Sequence, residues 1–248
     1  MSFSTSDCIY SFCEENSIEC SKETAEKFDV LSEMLIEFNA HTNVTALKTE
    51  EDIAVKHFVD SFYPLKYDIF TKNASVIDIG CGAGFPGLPL KLLRPDLQMS
   101  FVDSTAKKLK FTQSVSDRFD LGAKLYPERA EELVAKGHRE KYDFAVSRAV
   151  ASLPVLLELV LPYVKVGGAF VAYKSAKETD MNNKESELSM SQKALKVLGA
   201  KVEKIYSAGL STSDDASQEH ELIVIRKIAK TPTQYPRRYA VIVKKPLV

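Results

Sequence analysis

Residues 76–90 read Val-Ile-Asp-Ile-Gly-Cys-Gly-Ala-Gly-Phe-Pro-Gly-Leu-Pro-Leu, and this stretch decides the fold. Val76, Ile77 and Ile79 are β-formers and predict a short buried strand. Gly80, Gly82, Gly84 and Gly87 then crowd a turn, where missing Cβ atoms let the backbone bend sharply and approach a ligand. Pro86 suits a first helical turn, since no N–H partner is required there. Strand, glycine turn and helix make a corner that binds a nucleotide or nucleoside.

Two ligand classes compete for that corner. Gly82 to Gly87 fits G-x-G-x-x-G, and Asp103 follows at the spacing of about 20 residues that suits NAD or FAD. Asp78, however, ends the strand two residues before Gly80. A carboxylate there faces a pyrophosphate unfavourably, at a helix start whose dipole should welcome anions. A phosphate-free cofactor carrying a sulfonium and an ammonium fits better. Asp-x-Gly-x-Gly-x-Gly followed by an acid ending the next strand resembles motif I of S-adenosylmethionine (SAM) methyltransferases. A plain turn without ligand would not need four glycines in eight residues.

With 248 residues, the chain can bury a sizeable core in one α/β domain with a small addition. Hydrophobic content of 45% and charged content of 27% are ordinary for a globular protein. No apolar run reaches the roughly 18 residues of a membrane span. The N-terminus lacks a basic region of the secretory kind, so a cytoplasmic location is expected. Cys8, Cys13, Cys20 and Cys81 form no Cys-x-x-Cys and read as reduced thiols, with no metal expected. Cys81 reads as a small residue tolerated in the glycine turn rather than a nucleophile. Charge is lopsided. Residues 1–40 hold nine acids and two bases, whereas residues 226–248 hold seven bases and no acid. That terminal segment is a candidate phosphate-contacting arm, expected to act apart from the cofactor strands.

The first ~70 residues read as helical. Ser21 caps a helix with Phe28, Leu31, Leu35 and Phe38 on one face, and residues 50–63 give a second helix. Strands are then predicted at 76–79, 99–103, 124–127, 144–148, 169–173, 202–207 and 222–226. Helices are predicted at 88–93, 107–119, 130–135, 156–164 and 184–198. The alternation predicts a mostly parallel sheet with helices on both faces and the ligand crevice at the strands' C-terminal ends. The last two strands have only a short polar connection, residues 208–221, and can form an antiparallel hairpin. Residues 211–218 are expected to form a mobile loop.

Several side chains are placed for chemistry. Asp103 ends the second strand and can accept both ribose hydroxyls. Residues 128–132 follow the third strand and can bracket an adenine. Arg148, at the end of the fourth strand, can bind a substrate phosphate, guanine O6/N7 or a cofactor-site carboxylate, or make a structural ion pair. Residues 164–168 read as a turn before the fifth strand, and Lys174 at its end can reach an RNA phosphate.

Taken together, these segments resemble the RsmG (GidB) family, which makes N7-methylguanosine in bacterial small-subunit ribosomal RNA. The resemblance spans about residues 20–248. It rests on Asn43-Val44-Thr45, His57-x-x-Asp60-Ser61, the Asp78–Leu90 loop, Asp103-Ser104, Ser147-Arg148-Ala149-x-Ala151-Ser152-Leu153, Tyr173-Lys174, Tyr235-Pro236-Arg237-Arg238 and Lys245-Pro246-Leu247. It implies a class I SAM-dependent methyltransferase fold (α/β, Rossmann-like, seven-stranded) with an N-terminal helical extension. The segments would be 1–70 for the extension, 71–228 for the methyltransferase domain and 229–248 for the basic tail. The implied cofactor is SAM, held by Asp78, Gly80, Cys81, Gly82, Gly84, Phe85, Asp103, Ser104, Ala130, Glu131 and Arg148, with Arg148 also positioning the substrate. Implied RNA contacts are Asn43, Lys174, Arg237, Arg238, Lys244 and Lys245. The implied partner is small-subunit ribosomal RNA or a ribosomal particle, with no membrane and a monomer favoured. Two departures stand out. Ser175 replaces the usual Gly, and Ala240-Val241-Ile242-Val243 replaces Gly-x-Pro-Asn, which predicts a stiffer, strand-like tail. The residues alone leave two alternatives. One is an NAD-dependent oxidoreductase using the same glycine loop. The other is an inactive RNA- or ribosome-binding module.

Overall fold

A computed structural model describes residues 3–208 and 220–248. The expected loop at 211–218 lies outside the described residues. The chain begins with α1 (Thr5–Glu15) and α2 (Lys22–Thr42), each capped by a serine side chain, Ser4 and Ser21. Next come α3 (Glu50–Asp52), a π-helical segment at Ile53–Val59 and α4 (Asp60–Lys66). The α/β region follows as β1 (Ser75–Ile79), α5 (Gly87–Leu93), β2 (Gln98–Val102), α6 (Ala106–Arg118), β3 (Lys124–Tyr126), α7 (Ala130–Leu133) and β4 (Tyr142–Arg148). It continues with α8 (Leu153–Val160), β5 (Val164–Ser175), α9 (Ala176–Thr179), α10 (Glu187–Met190), α11 (Gln192–Leu198), β6 (Ala200–Ala208) and β7 (His220–Lys227). The chain closes on α12 (Tyr239–Lys244).

Among the described residues the strands form one seven-stranded sheet in the order β3-β2-β1-β4-β5-β7-β6. Pairings from β3 through β5 are parallel, and β7 runs antiparallel to both β5 and β6. The order reverses between β1 and β4, which opens a crevice at their C-terminal ends. Side chains alternate across the sheet. Val76, Phe144, Val146 and Val171 face one core, shared with Phe28, Leu31, Phe58 and Phe62 of the N-terminal helices. Ile77, Ile79, Ala145 and Phe170 face the other, shared with Leu156 and Leu157 of α8 and with Ile242 and Leu247 of the tail. The N-terminal helices thus cover one face and the tail the other.

Four predicted elements change. The single helix expected over 50–63 is interrupted by the π-helical segment, a wide turn often found at functional sites. The helix expected over 184–198 starts at Glu187 and breaks at Ser191, whose hydroxyl turns back onto the Glu187 carbonyl. The 164–168 turn is built into β5, beside a register shift opposite β4. Residues 240–243 are helical, not strand-like. A strand there would need a ladder partner, whereas α12 buries Ile242 and leaves Val241 and Val243 exposed.

Candidate functional site

A cleft of about 320 Å³ lies at the C-terminal ends of β1, β2 and β4. Ile79 and Gly80 line it from β1, Val102 to Thr105 from β2, Glu128 to Glu131 from the turn into α7, and Ala149 and Val150 from the end of β4. Leu159 of α8 and Tyr239 of α12 complete the wall.

The floor is shaped by two backbone conformations. Gly80 has φ +70°, and a Cβ there would lie 2.4 Å from Val150 Cγ2. Only glycine lets the loop pass so close beneath Val150. Ala149 has φ 55°, an unfavourable value for a residue with a side chain. This strained turn carries the chain from Arg148 on β4 to Val150 over Gly80. No local signal beyond the bare Ser-Arg-Ala string marks this turn.

Asp103 is held firmly at the rim. Its Oδ2 accepts the Gly82 N–H at 3.0 Å and its Oδ1 accepts the Thr105 N–H at 2.7 Å. Each carboxylate oxygen retains a further lone pair, which suits a vicinal diol. The glycine loop is itself tied to β2, since Gly80 N–H and Cys81 N–H both donate to the Val102 carbonyl. Three carboxylates (Asp103, Glu128 and Glu131) line the cleft against the cations Lys108 and Arg129. That donor set and the Gly80 cradle fit a nucleoside bearing positive charge better than a pyrophosphate.

The expected cofactor residues therefore divide. Gly80, Asp103, Ser104, Ala130 and Glu131 line the cleft. Gly82 borders it through its bond to Asp103. Asp78, Cys81, Gly84 and Phe85 are not among the residues that line it. Asp78 does not line the cleft. Strand alternation turns it with Val76 under α5, not into the crevice, and it is fully buried. Its Oδ2 accepts the Gly87 N–H at 2.9 Å, while its Oδ1 has no partner. Burial, outweighing that hydrogen bond, pushes its carboxyl up to about 7. Gly87 must be glycine for this packing, because a Cβ would meet Phe101 Cε1 at 2.3 Å. Cys81 is buried, and desolvation raises its thiol well above the ordinary range, which makes it a poor nucleophile.

Arg148 is also redirected. Its Nη1 lies 2.6 Å from Oδ2 of Asp60 and donates to the Lys56 carbonyl at 3.2 Å. Its Nη2 lies 3.0 Å from His57 Nδ1. Desolvation and the neighbouring Arg148 cation hold His57 down to about 3, so the ring is neutral and Nδ1 accepts. Nε2 of His57 meets Thr45 Oγ1 at 2.7 Å, and the ring stacks on Phe85 of the glycine loop at 4.6 Å. Arg148 lies 5.8 Å from the same Phe85 ring. Asp60 Oδ1 takes His220 Nδ1 at 2.9 Å. Thr45, the His57–Asp60 pair and Arg148 come from three separate motifs along the chain, and the fold joins them into one network beside the loop.

The expected RNA cations also divide. Lys174 is buried and bonded to Glu187 at 2.7 Å, Glu178 at 3.2 Å and the Ala151 carbonyl at 2.9 Å. Arg237 is committed to Glu158, which it meets through Nη2 at 2.6 Å and Nε at 2.8 Å. Both are internal ties, not open phosphate contacts, because each offsets a carboxylate drawn into the fold. Arg238, Lys244 and Lys245 are exposed on the tail, and Asn43 is exposed at the left-handed end of α2. Among the described residues no cluster of metal-ligating side chains is present, and no helix is long and apolar enough to cross a membrane.

The sequence model of the family described as rRNA small subunit methyltransferase G matches residues 24–208. The chain is 42% identical over 234 residues to the ribosomal RNA small subunit methyltransferase G of Acetivibrio thermocellus, covering 93% of this chain and 91% of that protein. It is 40% identical to the protein of the same name from Listeria monocytogenes, covering 90% and 91%. In fold it is similar to a SAM-dependent methyltransferase of Methanosarcina mazei, with TM-score 0.53 and 16% identity over 68% of this chain and 99% of that one. It is similar also to TYW2 of Pyrococcus horikoshii in complex with MeSAdo, with TM-score 0.52 and 15% identity over 69% and 61%.

Proposed function

The chain belongs to the rRNA small subunit methyltransferase G family, and on that premise we propose that it methylates N7 of a guanine in small-subunit ribosomal RNA. It is a SAM-dependent methyltransferase of 16S ribosomal RNA; the oxidoreductase and inactive-module alternatives find no support. The observation that carries the cofactor side is Asp103, fixed by two backbone N–H groups at the rim of an acid-lined nucleoside cleft.

In this reading Asp103 and Ser104 hold the ribose, Ala130 and Glu131 flank the adenine, and Gly80 gives room for the amino-acid portion. Bound SAM supplies an electrophilic methyl group on a sulfonium. Guanine N7 carries an in-plane lone pair and no proton, so no side chain has to serve as general base. The protein's task is alignment and exclusion of water. Arg148 acts as a positioning residue: with His57 and Asp60 it fixes Phe85, and so the wall of the glycine loop. Residues 71–228 would do the chemistry, 1–70 would frame the substrate side, and the exposed cations of 229–248 would meet RNA phosphates. A folded RNA would present the target as an unstacked guanine. The protein acts without a membrane, in the cytoplasm, and as a monomer.

Mapping of N7-methylguanosine in 16S ribosomal RNA from cells with and without the gene tests the reading. One N7-methylated guanine should disappear with the gene. An unchanged methylation map would refute it.

A further inference from the structure

The tail does more than carry charge. Tyr239, the first residue of α12, lines the cleft together with Leu159, Ala130 and Glu131. Its position is built, not incidental. Arg237, two residues earlier, inserts its guanidinium and its backbone N–H onto Glu158, a carboxylate with no exposed surface. Glu158 and Leu159 are neighbours on α8, so adjacent residues of that helix anchor the tail and face the cleft. Arg237 also donates to the Lys245 carbonyl at 3.0 Å, which ties the start of the tail to its end. Ile242 and Leu247 are buried in the core under the sheet. Tyr239 is thus held over the α7–α8 side of the cleft while 37% of its surface stays open.

We propose that Tyr239 is a cofactor-binding residue that covers the adenine end of the cleft, and that RNA held on the tail tightens cofactor binding through it. The inference rests on the reading of this cleft as the SAM site and of the tail as an RNA contact. A broad aromatic ring beside Leu159 gives the flat purine an apolar cover that the acidic rim cannot supply. Arg238 immediately precedes Tyr239, and the exposed Lys244 and Lys245 end the same helix. Phosphates seated on these three cations fix α12, and with it the ring. Cofactor and RNA then favour one another reciprocally.

The test is titration calorimetry with S-adenosylhomocysteine on the full-length chain, alone and with a 16S ribosomal RNA transcript. Tyr239→Ala should weaken S-adenosylhomocysteine by about five- to tenfold, and Tyr239→Phe should restore it. The transcript should raise the affinity of wild type and leave that of Tyr239→Ala unchanged. Asp103→Ala separates the layers of the argument. If it weakens binding while Tyr239→Ala, with an unaltered unfolding midpoint, binds as wild type does, the cleft is the cofactor site and the tyrosine assignment is overturned. An equal gain from the transcript in wild type and Tyr239→Ala overturns the coupling. If wild type itself does not bind S-adenosylhomocysteine, the reading of the cleft fails and the inference falls with it.

Discussion

Arg148 and Asp60 are bonded at 2.6 Å across the junction between β4 and the N-terminal helices, and Asp60 is only 1% exposed. The arginine that ends β4 beside the cofactor loop is thereby spent on holding the helical layer in place. His57 accepts from the same guanidinium and stacks on Phe85. The glycine loop, the π-helical segment and β4 are one mechanical unit.

Removing the arginine from that unit leaves a buried carboxylate with His220 as its remaining side-chain partner among the described residues. Arg148→Ala should therefore destabilise the fold by about 3–5 kcal/mol, as loss of one member of a buried pair does. Arg148→Lys should recover only part of it, because an ammonium cannot reach Asp60, the Lys56 carbonyl and His57 with a planar fork. Urea unfolding of the three proteins measures this. Methyl transfer per folded molecule should also fall, since Phe85 loses its support.

His57 gives the network a pH signature. Its ring is held down to about 3 in the folded chain, against about 6.5 when unfolded. Between those values the unfolded chain binds a proton that the folded chain does not. The contribution of His57 is therefore complete above about pH 6.5 and is lost as pH falls toward about 3. Unfolding free energies of wild type and His57→Gln from pH 4 to pH 8 should converge on the acidic side and separate on the neutral side.

Gly87 is a packing requirement that leaves no room for a methyl group. Gly87→Ala would press a Cβ against Phe101 at 2.3 Å and Asp78 at 2.9 Å. The expected cost is about 1–3 kcal/mol, with weaker SAM binding because the loop above α5 shifts. Thermal unfolding and calorimetry of the variant check both effects.

The basic tail should show two kinds of arginine. Substituting Arg238, Lys244 and Lys245 together by alanine should make the salt dependence of 16S ribosomal RNA binding shallower by about one to three contacts, at roughly −0.7 to −0.9 per phosphate. Stability should hardly change, because all three are exposed. Arg237→Ala should instead lower stability, since it strands Glu158 in the core without a cation. Salt titrations and unfolding curves on wild type and these two variants separate the roles.

The sheet was legible because its signals are local. Short runs of β-formers marked six of the seven strands to within two residues and β5 only from Ala169 on, and a short polar connection pointed to the antiparallel last pair. Gly80 and Asp103 were legible because a strand-end acid and a glycine cradle have few other uses. The network was not. Nothing in the local pattern around His57 says that its ring meets Phe85, or that Asp60 meets Arg148, because those partners are separated by long stretches of chain and joined only by packing. Asp78 lies on the face of β1 that turns under α5, which the glycine motif alone does not disclose. Tyr239 was missed for a related reason. A charge count marks the tail as basic, but only the burial of Ile242, Leu247 and Glu158 reveals where it folds.

The most direct test is single-turnover transfer from methyl-labelled SAM to 16S ribosomal RNA by the purified protein, with digestion of the product and identification of the labelled nucleoside. The account predicts label in N7-methylguanosine at one position, and its near-complete loss in Asp103→Ala at SAM concentrations that saturate only wild type. Label on another atom or another base would contradict the assignment of guanine N7, and undiminished transfer by Asp103→Ala would contradict the site.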